Sequence, residues 1–305
     1  MIEEDSPPPD SPPGRARLAL TSLIIALAAM SVIYRLLHAA HLEHTALLFI
    51  GIPTALALIS IRGRPSQTAT GTIVRTIWIA LCMSGILLAE GFVCILFAAP
   101  LALLVGLVIG KVIDARRRRG REGRQLLILL GVGLSVSSLE GARPTWSLPR
   151  DSAVSVTRDV DLPADSIAIA LARPMRFDLP LPRFFQLGFP TPHAEATGGL
   201  DSGTVRMIHF AHGHHAGTLL WRVTERDAGG LRFSAVSDDS YIIHWLSWRD
   251  ATVRWTPLGD HRARVTWTLR YRRRLDPAWY FAPIERYAVH LAAGYLIESM
   301  AERAQ

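Results

Sequence analysis

Charge is scarce in this chain of 305 residues: Asp, Glu, Lys and Arg make up 19% of it, against 50% apolar residues. Its mean hydropathy of +0.24 is too high for a disordered polymer and unusual for a soluble enzyme. Cysteine is almost absent. Cys82 and Cys94 both lie in one apolar stretch, which leaves the C-terminal half without a disulfide framework. Within that stretch they read as small buried apolar residues. Lysine occurs once, as Lys111, so the net charge of +7 is carried by arginine. Also missing are a G-x-S-x-G elbow, an HExxH helix, a P-loop and a G-x-G-x-x-G turn after a strand. Their absence removes the commonest hydrolase, metalloprotease, nucleotidase and dinucleotide-binding readings.

What the chain does have is apolar residues in long runs, and these are confined to residues 17–144. A bilayer core about 30 Å thick is spanned by roughly 20 helical residues. Residues 18–37 and 45–61 supply two such runs. Residues 72–113 carry only Arg75, Glu90 and Lys111 as charges and are too long for one crossing. They predict a helical hairpin, turning at Glu90-Gly91 in preference to Pro100, because a carboxylate at mid-bilayer costs about 2.5–3.5 kcal/mol. Residues 125–140 are the shortest candidate, and counting them gives about five transmembrane helices. The arginines at 15 and 17, at 62, 64 and 75, and at 116–119, 121 and 124 fall on alternate loops. The positive-inside rule then predicts a multi-pass protein of the cell membrane with a cytoplasmic N-terminus. With five crossings the C-terminal half is extracytoplasmic, and with four it is cytoplasmic. Residues 1–16, with five prolines in the first thirteen, predict a disordered tail and not a cleaved signal peptide.

From Ser152 the pattern changes to alternation, the mark of half-buried strands. AVSVTRDVDL reads as a strand, PADSIAIAL as a short helix begun by Pro163, and the proline-rich stretch 173–193 as an irregular loop with a helical turn. Six further strands are predicted in GTVRMIHFA, GTLLWRVTE, GLRFSAVSD, YIIHWLSW, ATVRWTP and HRARVTWTLRYRR. Val265, Trp267, Leu269 and Tyr271 share one face of the last strand, with Arg264, Arg270 and Arg272 on the other. The same alternation turns Val253 and Trp255, Leu231 and Phe233, and Leu219, Trp221 and Val223 inward. Beyond Pro283, expected to bound a helix, Ile284, Ala288, Leu291, Tyr295 and Met300 recur near helical spacing. A long C-terminal helix over a curved antiparallel sheet is expected, an α+β domain spanning 152–305.

That order of elements resembles the START-like helix-grip superfamily, in its polyketide cyclase and lipid-transport branch. The likeness rests on SVTRDVDLPADSI, on the meander that begins GTVRMIHF, and on VTWTLRYRRRLDPAWYF leading into AVHLAAGYLIESMAE. These are patterns of apolar positions with no catalytic signature among them. The resemblance implies a cavity between sheet and helix that takes an apolar ligand, and implies no reaction.

The candidate ligand-binding residues are Trp221, Phe233, Trp255, Trp267 and Tyr271 as walls, with His209 and His244 as the polar groups expected to reach inside. His209, His212, His214 and His215 are the densest polar cluster, yet their spacing fits no metal-ligand motif, so they read as a solvated turn. Arg35, His38, His41, Glu43 and His44 read as polar residues at a membrane surface. Asp238, Asp239, His244 and Arg249 could supply an acid, a base and an anchor to a cyclase or dehydrase. The run at 116–119 suits anionic lipid heads better than nucleic acid. Residues 1–144 hold 14 basic against 9 acidic side chains, and residues 145–305 hold 19 against 17. The near-neutral C-terminal half therefore weakens a nucleic-acid reading. The expectation is a membrane-anchored module for an apolar ligand, with membrane lipids and an apolar small molecule as partners and no cofactor or metal. A cyclase-type enzyme and a non-catalytic membrane scaffold are the alternatives.

Overall fold

The computed structural model describes residues 13–38, 52–62, 66–88, 92–117, 140, 148–196, 198–212 and 215–302. The chain divides into two compact units, Met1–Leu134 and Ser135–Gln305. In the first, four helices are described: α1 (Pro13–His38), α2 (Ile52–Arg62), α3 (Ala69–Leu88) and α4 (Phe92–Arg117). The long apolar stretch is a helical pair, with α3 ending at Leu88, α4 starting at Phe92, and Pro100 inside α4. Helix α1 already begins at Pro13, a residue whose fixed φ and missing N–H suit a first helical turn.

Two devices hold α3 against α4. Gly106 and Gly110 lie one turn apart in GLVIG; a Cβ on Gly110 would sit 2.3 Å from the Thr70 Cα, and one on Gly106 2.3 Å from the Ile77 side chain. The two backbones therefore approach as only small residues allow. Near the end of α4, Asp114 accepts the amides of Ala69 and Thr70 at 2.7 and 3.0 Å and the Thr70 hydroxyl at 2.6 Å. That carboxylate satisfies donors which the first turn of α3 leaves unpaired. Cys82 is a free, buried thiol clustered with Ile24 and Ala57.

Among the described residues one helix, over Ile95–Ala115, is long and apolar enough to cross a bilayer; Leu18–Met30 and Ala69–Ser84 are shorter apolar helices. A bundle of about five crossing helices is thus not supported. The candidate at 125–140, Glu140 excepted, lies outside the described residues, as do residues 1–12 and the side chains of His41, Glu43 and His44.

The second unit is built on one seven-stranded antiparallel sheet. Its strands are β1 (Asp151–Val160), β2 (Thr191–Glu195), β3 (Val205–His212), β4 (His215–Asp227), β5 (Gly230–Asp238), β6 (Leu246–Pro257) and β7 (Ala263–Arg273), in the order β1-β7-β6-β5-β4-β3-β2. Bulges in the pairings of β2 with β3, β4 with β5, and β6 with β7 bend the sheet. Helix α5 (Ala164–Ala172) follows β1, and α6 (Ala278–Glu302) closes the chain. On β7, Val265, Trp267, Leu269 and Tyr271 are buried while Arg264, Arg270 and Arg272 are exposed. Together with Val253, Trp255, Leu231, Phe233 and Val223 they form one core with Val289, Ala293, Ile297 and Met300 of α6.

Three expectations change. YIIHWLSW is not a strand: Tyr241–His244 is a 3-10 turn, and Leu246–Pro257 is one strand where two were expected. A bulge between Trp248 and Asp250 moves the apolar row from Leu246 and Trp248 to Ala251, Val253 and Trp255, and that change of parity reads as a strand break. Thr191–Glu195, whose first three residues were expected as the end of a loop, is the edge strand β2, where Pro192 is tolerated because an edge needs no second set of amides. Pro283 bounds nothing and lies inside α6. The buried face of α6 accordingly runs through Glu285, Val289, Ala293, Ile297 and Met300, one position on from the expected stripe, which it meets at Tyr295 and Met300.

Candidate functional site: an apolar cavity under the last helix

Helix α6 lies directly on β1 and β7 and stands off the other side of the curved sheet. There Ala288 and Ala292, with Val289, Tyr295 and Leu296, face a cavity of about 140 Å³ whose far wall is Ile208, Phe210, Leu219 and Trp221 of β3 and β4. Trp245, Leu246 and Trp248 form one side, and the loop after α5 covers the rest with Phe177, Leu181, Phe185 and Phe189. That loop is fixed to the helix, because the Tyr295 hydroxyl donates to the Leu179 carbonyl at 2.9 Å and the Tyr295 ring stacks on Phe177. Phe184, Phe185 and Phe189 pack edge to face or tilted on one another, with Trp245 beside Phe189. Every lining side chain is apolar or aromatic. Trp248 Nε1, buried and without a hydrogen-bond partner, is the one unsatisfied donor that the lining residues contribute.

A smaller space of about 50 Å³ lies deeper and shares Ile208, Trp221, Leu269 and Leu296 with the first. Its lining includes Phe233, Trp267 and a buried ion pair. Arg206 is 3% exposed and Glu195 8%. The guanidinium grips both carboxylate oxygens side-on and donates to the carbonyls of Leu171 at 2.6 Å and Arg173 at 3.1 Å; the carboxylate also accepts the Met175 amide at 2.6 Å. All three segments, the end of α5, β2 and β3, are tied through one fork-to-fork contact. Arg206 also stands 5.8 Å above the Phe233 ring.

A second charged group gathers at the start of α6. Arg273, 1% exposed, donates to Asp276 at 2.7 Å, to Glu140 at 3.1 Å and to the Leu275 carbonyl. Arg150 pairs with the other oxygen of Asp276. Glu140 accepts the Ala278 amide at 2.8 Å, capping the helix from outside its own sequence. Beside this cluster Glu285 is buried with neither oxygen in a hydrogen bond of good geometry. Burial pushes its carboxyl up to about 8, and the Arg273 charge and the Leu275 amide pull it only part of the way back. Burial, then the Glu285 charge, raises the neighbouring Tyr271 phenol.

A third space, about 210 Å³ and partly polar, adjoins the apolar cavity across Pro190 and Phe210 and is lined by Asp239, Ser240, Tyr241 and His244. Burial raises the Asp238 carboxyl behind it, against the hydrogen bonds it accepts from Ser240.

The residues expected at the site are thus dispersed. Trp221 lines the apolar cavity, and Phe233 and Trp267 line the deeper space. Trp255 and Tyr271 lie in the core and line neither. His209 is exposed, on the face of β3 opposite Arg206, Ile208 and Phe210. Its placement inward overlooked that a charged residue, Arg206, belongs to the buried row. His244 is also exposed and lines the polar cleft, its ring 4.8 Å from Tyr241. Arg249 is turned to solvent, with Asp151 at 3.8 Å, and joins neither Asp239 nor His244. No three His, Cys, Asp or Glu side chains converge among the described residues. Phe177, Phe185, Phe189, Trp245 and Trp248 were missed, since most stand in the loop and turn where no period marks an inward face.

A curved antiparallel sheet that wraps one long C-terminal helix, with the interior opening between them, decides the architecture. The C-terminal half is a helix-grip fold. No family model matches the chain, and no curated protein does. Solved structures similar to it include the Zhui aromatase/cyclase from a Streptomyces species, at 15% identity over 50% of this chain and 93% of that one with a TM-score of 0.36. A START superfamily protein from Mycobacterium smegmatis is similar at 12% identity over 50% and 96%, with a TM-score of 0.35. Norcoclaurine synthase from Thalictrum flavum, in complex with dopamine and hydroxybenzaldehyde, is similar at 11% over 50% and 85%, with a TM-score of 0.34.

Proposed function

We propose that this chain is a membrane-anchored module whose helix-grip domain binds an apolar ligand between β3, β4 and α6. The observation that carries the reading is a 140 Å³ space walled throughout by apolar and aromatic side chains. A dry cavity of about this size is known to take a molecule as large as benzene, so the cavity admits one ring or a short length of acyl chain. A larger ligand would have to displace the aromatic loop. The membrane part of the reading is supported by the surface of the first unit. Among the described residues Leu18, Leu23, Ile25, Met30, Ile59, Leu104, Leu107 and Ile109 are exposed there, while Ile24, Ala57, Cys82 and Val108 are the buried apolar ones. Such an inverted distribution suits lipid as solvent. The spacing of the arginines along the sequence supports a cytoplasmic N-terminus, and an odd number of crossings would then put the C-terminal domain outside.

Extraction of the purified full chain with organic solvent, followed by mass spectrometry, is expected to recover an apolar compound in near-stoichiometric amount. The same extraction of an Ala292→Phe variant, which puts a ring into the cavity, is expected to recover at least about ten times less. Equal recovery from both proteins would place the compound elsewhere and reject the site.

A further inference from the structure

The polar cleft and the apolar cavity are neighbours, and the reading just given uses only one of them. Pro190 and Phe210 belong to the walls of both. The cleft is built rather than incidental. Gly217 on β4 lets the 239–240 backbone come so close that a Cβ there would lie 2.4 Å from the Ser240 Cα. The Asp239 amide donates to the Thr218 carbonyl at 3.1 Å, and the Thr218 amide donates back to Asp239 Oδ1. Ser240 is fully buried, with its amide and hydroxyl both given to Asp238 at 2.9 and 2.6 Å. These bonds hold Asp239 at the cleft wall with Tyr241 and His244. Among the described residues the cleft lining contains no lysine or arginine. Arg274, whose charge reaches Asp238, donates to Ser247 at 2.6 Å instead.

We infer that the ligand is an amphiphile, its apolar part in the aromatic cavity and a cationic, amine-type head in the cleft against Asp239 and the Tyr241 ring. This rests on the apolar-ligand reading and narrows it. A carboxylate beside an aromatic face attracts a cation by charge and by the ring quadrupole together. An anionic head would meet the Asp239 carboxylate, and no lysine or arginine among the described lining residues balances it. The assignment therefore excludes fatty acids and anionic lipids as the preferred occupants.

Three probes with one six-carbon tail separate the possibilities: hexylamine, hexanol and hexanoate, titrated at pH 7 into the purified full chain and followed by tryptophan fluorescence. The signal of Ala292→Phe under the same titration is subtracted, which removes partitioning into detergent or lipid. Hexylamine is expected to bind about 10-fold more tightly than hexanoate, with hexanol between them. Asp239→Asn keeps the acceptor for the Thr218 amide and removes the charge, and it is expected to bring amine and carboxylate within about threefold. Hexanoate binding as tightly as hexylamine would overturn the inference and leave the apolar cavity standing, as would a preference unchanged in Asp239→Asn. If no probe gives a signal above Ala292→Phe, the cavity reading falls and this inference falls with it.

Discussion

Replacing Arg206 by methionine is expected to destabilise the C-terminal domain by about 3–5 kcal/mol, the usual cost of removing one member of a buried ion pair. The reason lies in what stays behind. Glu195 would keep a charge in a site where it is 8% exposed, with the Met175 amide as its remaining close donor, and the Leu171 and Arg173 carbonyls would lose theirs. A second replacement, Glu195→Leu, is expected to recover part of the loss, because two apolar residues of similar volume bury no unpaired charge. Urea unfolding followed by tryptophan fluorescence measures all three proteins. A single variant within about 1 kcal/mol of the parent would mean that the pair is hydrated and holds nothing in place.

The second large effect concerns pH. The carboxyl of Glu285 stands at about 8 in the folded chain, against an ordinary value of 4.5, so folding favours its protonated form. Between those values the folded state holds a proton that the unfolded state has released, and stability therefore falls as pH rises. The contribution is fully present below about 4.5 and is lost as pH rises through about 8. Its size is on the order of 2–4 kcal/mol, taking about 1.4 kcal/mol for each unit and discounting for residual solvation. Glu285→Gln mimics the protonated form and is expected to be as stable as the parent at pH 5 and clearly more stable at pH 9. Parallel stability profiles of the two proteins across that range would show that Glu285 is ionised in the fold and compensated by Arg273.

What could be read from the sequence follows from where a period persists. In β7 nothing interrupts the alternation for eleven residues, and its inward row is legible by inspection. In β6 one bulge shifts the row by a residue, which made a single strand look like two. The stripe of α6 was displaced by one because Glu285, a carboxylate, occupies a buried position that apolar periodicity leaves out. The same bias hid Arg206 and Glu195, and with them the register of β3, so that His209 was turned inward. Small residues on the helix, Ala288 and Ala292, make the cavity, and small size alone does not distinguish a gap from close packing. The loop that covers it carries its phenylalanines at irregular intervals among prolines, and only the folded chain brings Phe177, Phe185 and Phe189 to one wall.

The central claim is that apolar molecules enter the space under α6 and nowhere else in the domain. It is tested most directly by indole 15N–1H NMR of the full chain titrated with benzene, a rigid apolar probe without charge or hydrogen-bonding groups and of a size the cavity admits. The indole signals of Trp221, Trp245 and Trp248, which line the cavity, are predicted to shift together with one saturation curve. Those of Trp255, buried in the core, and Trp279, exposed on α6, are predicted to stay in place. Shifts confined to Trp279, or no shift at saturating benzene, would contradict the account.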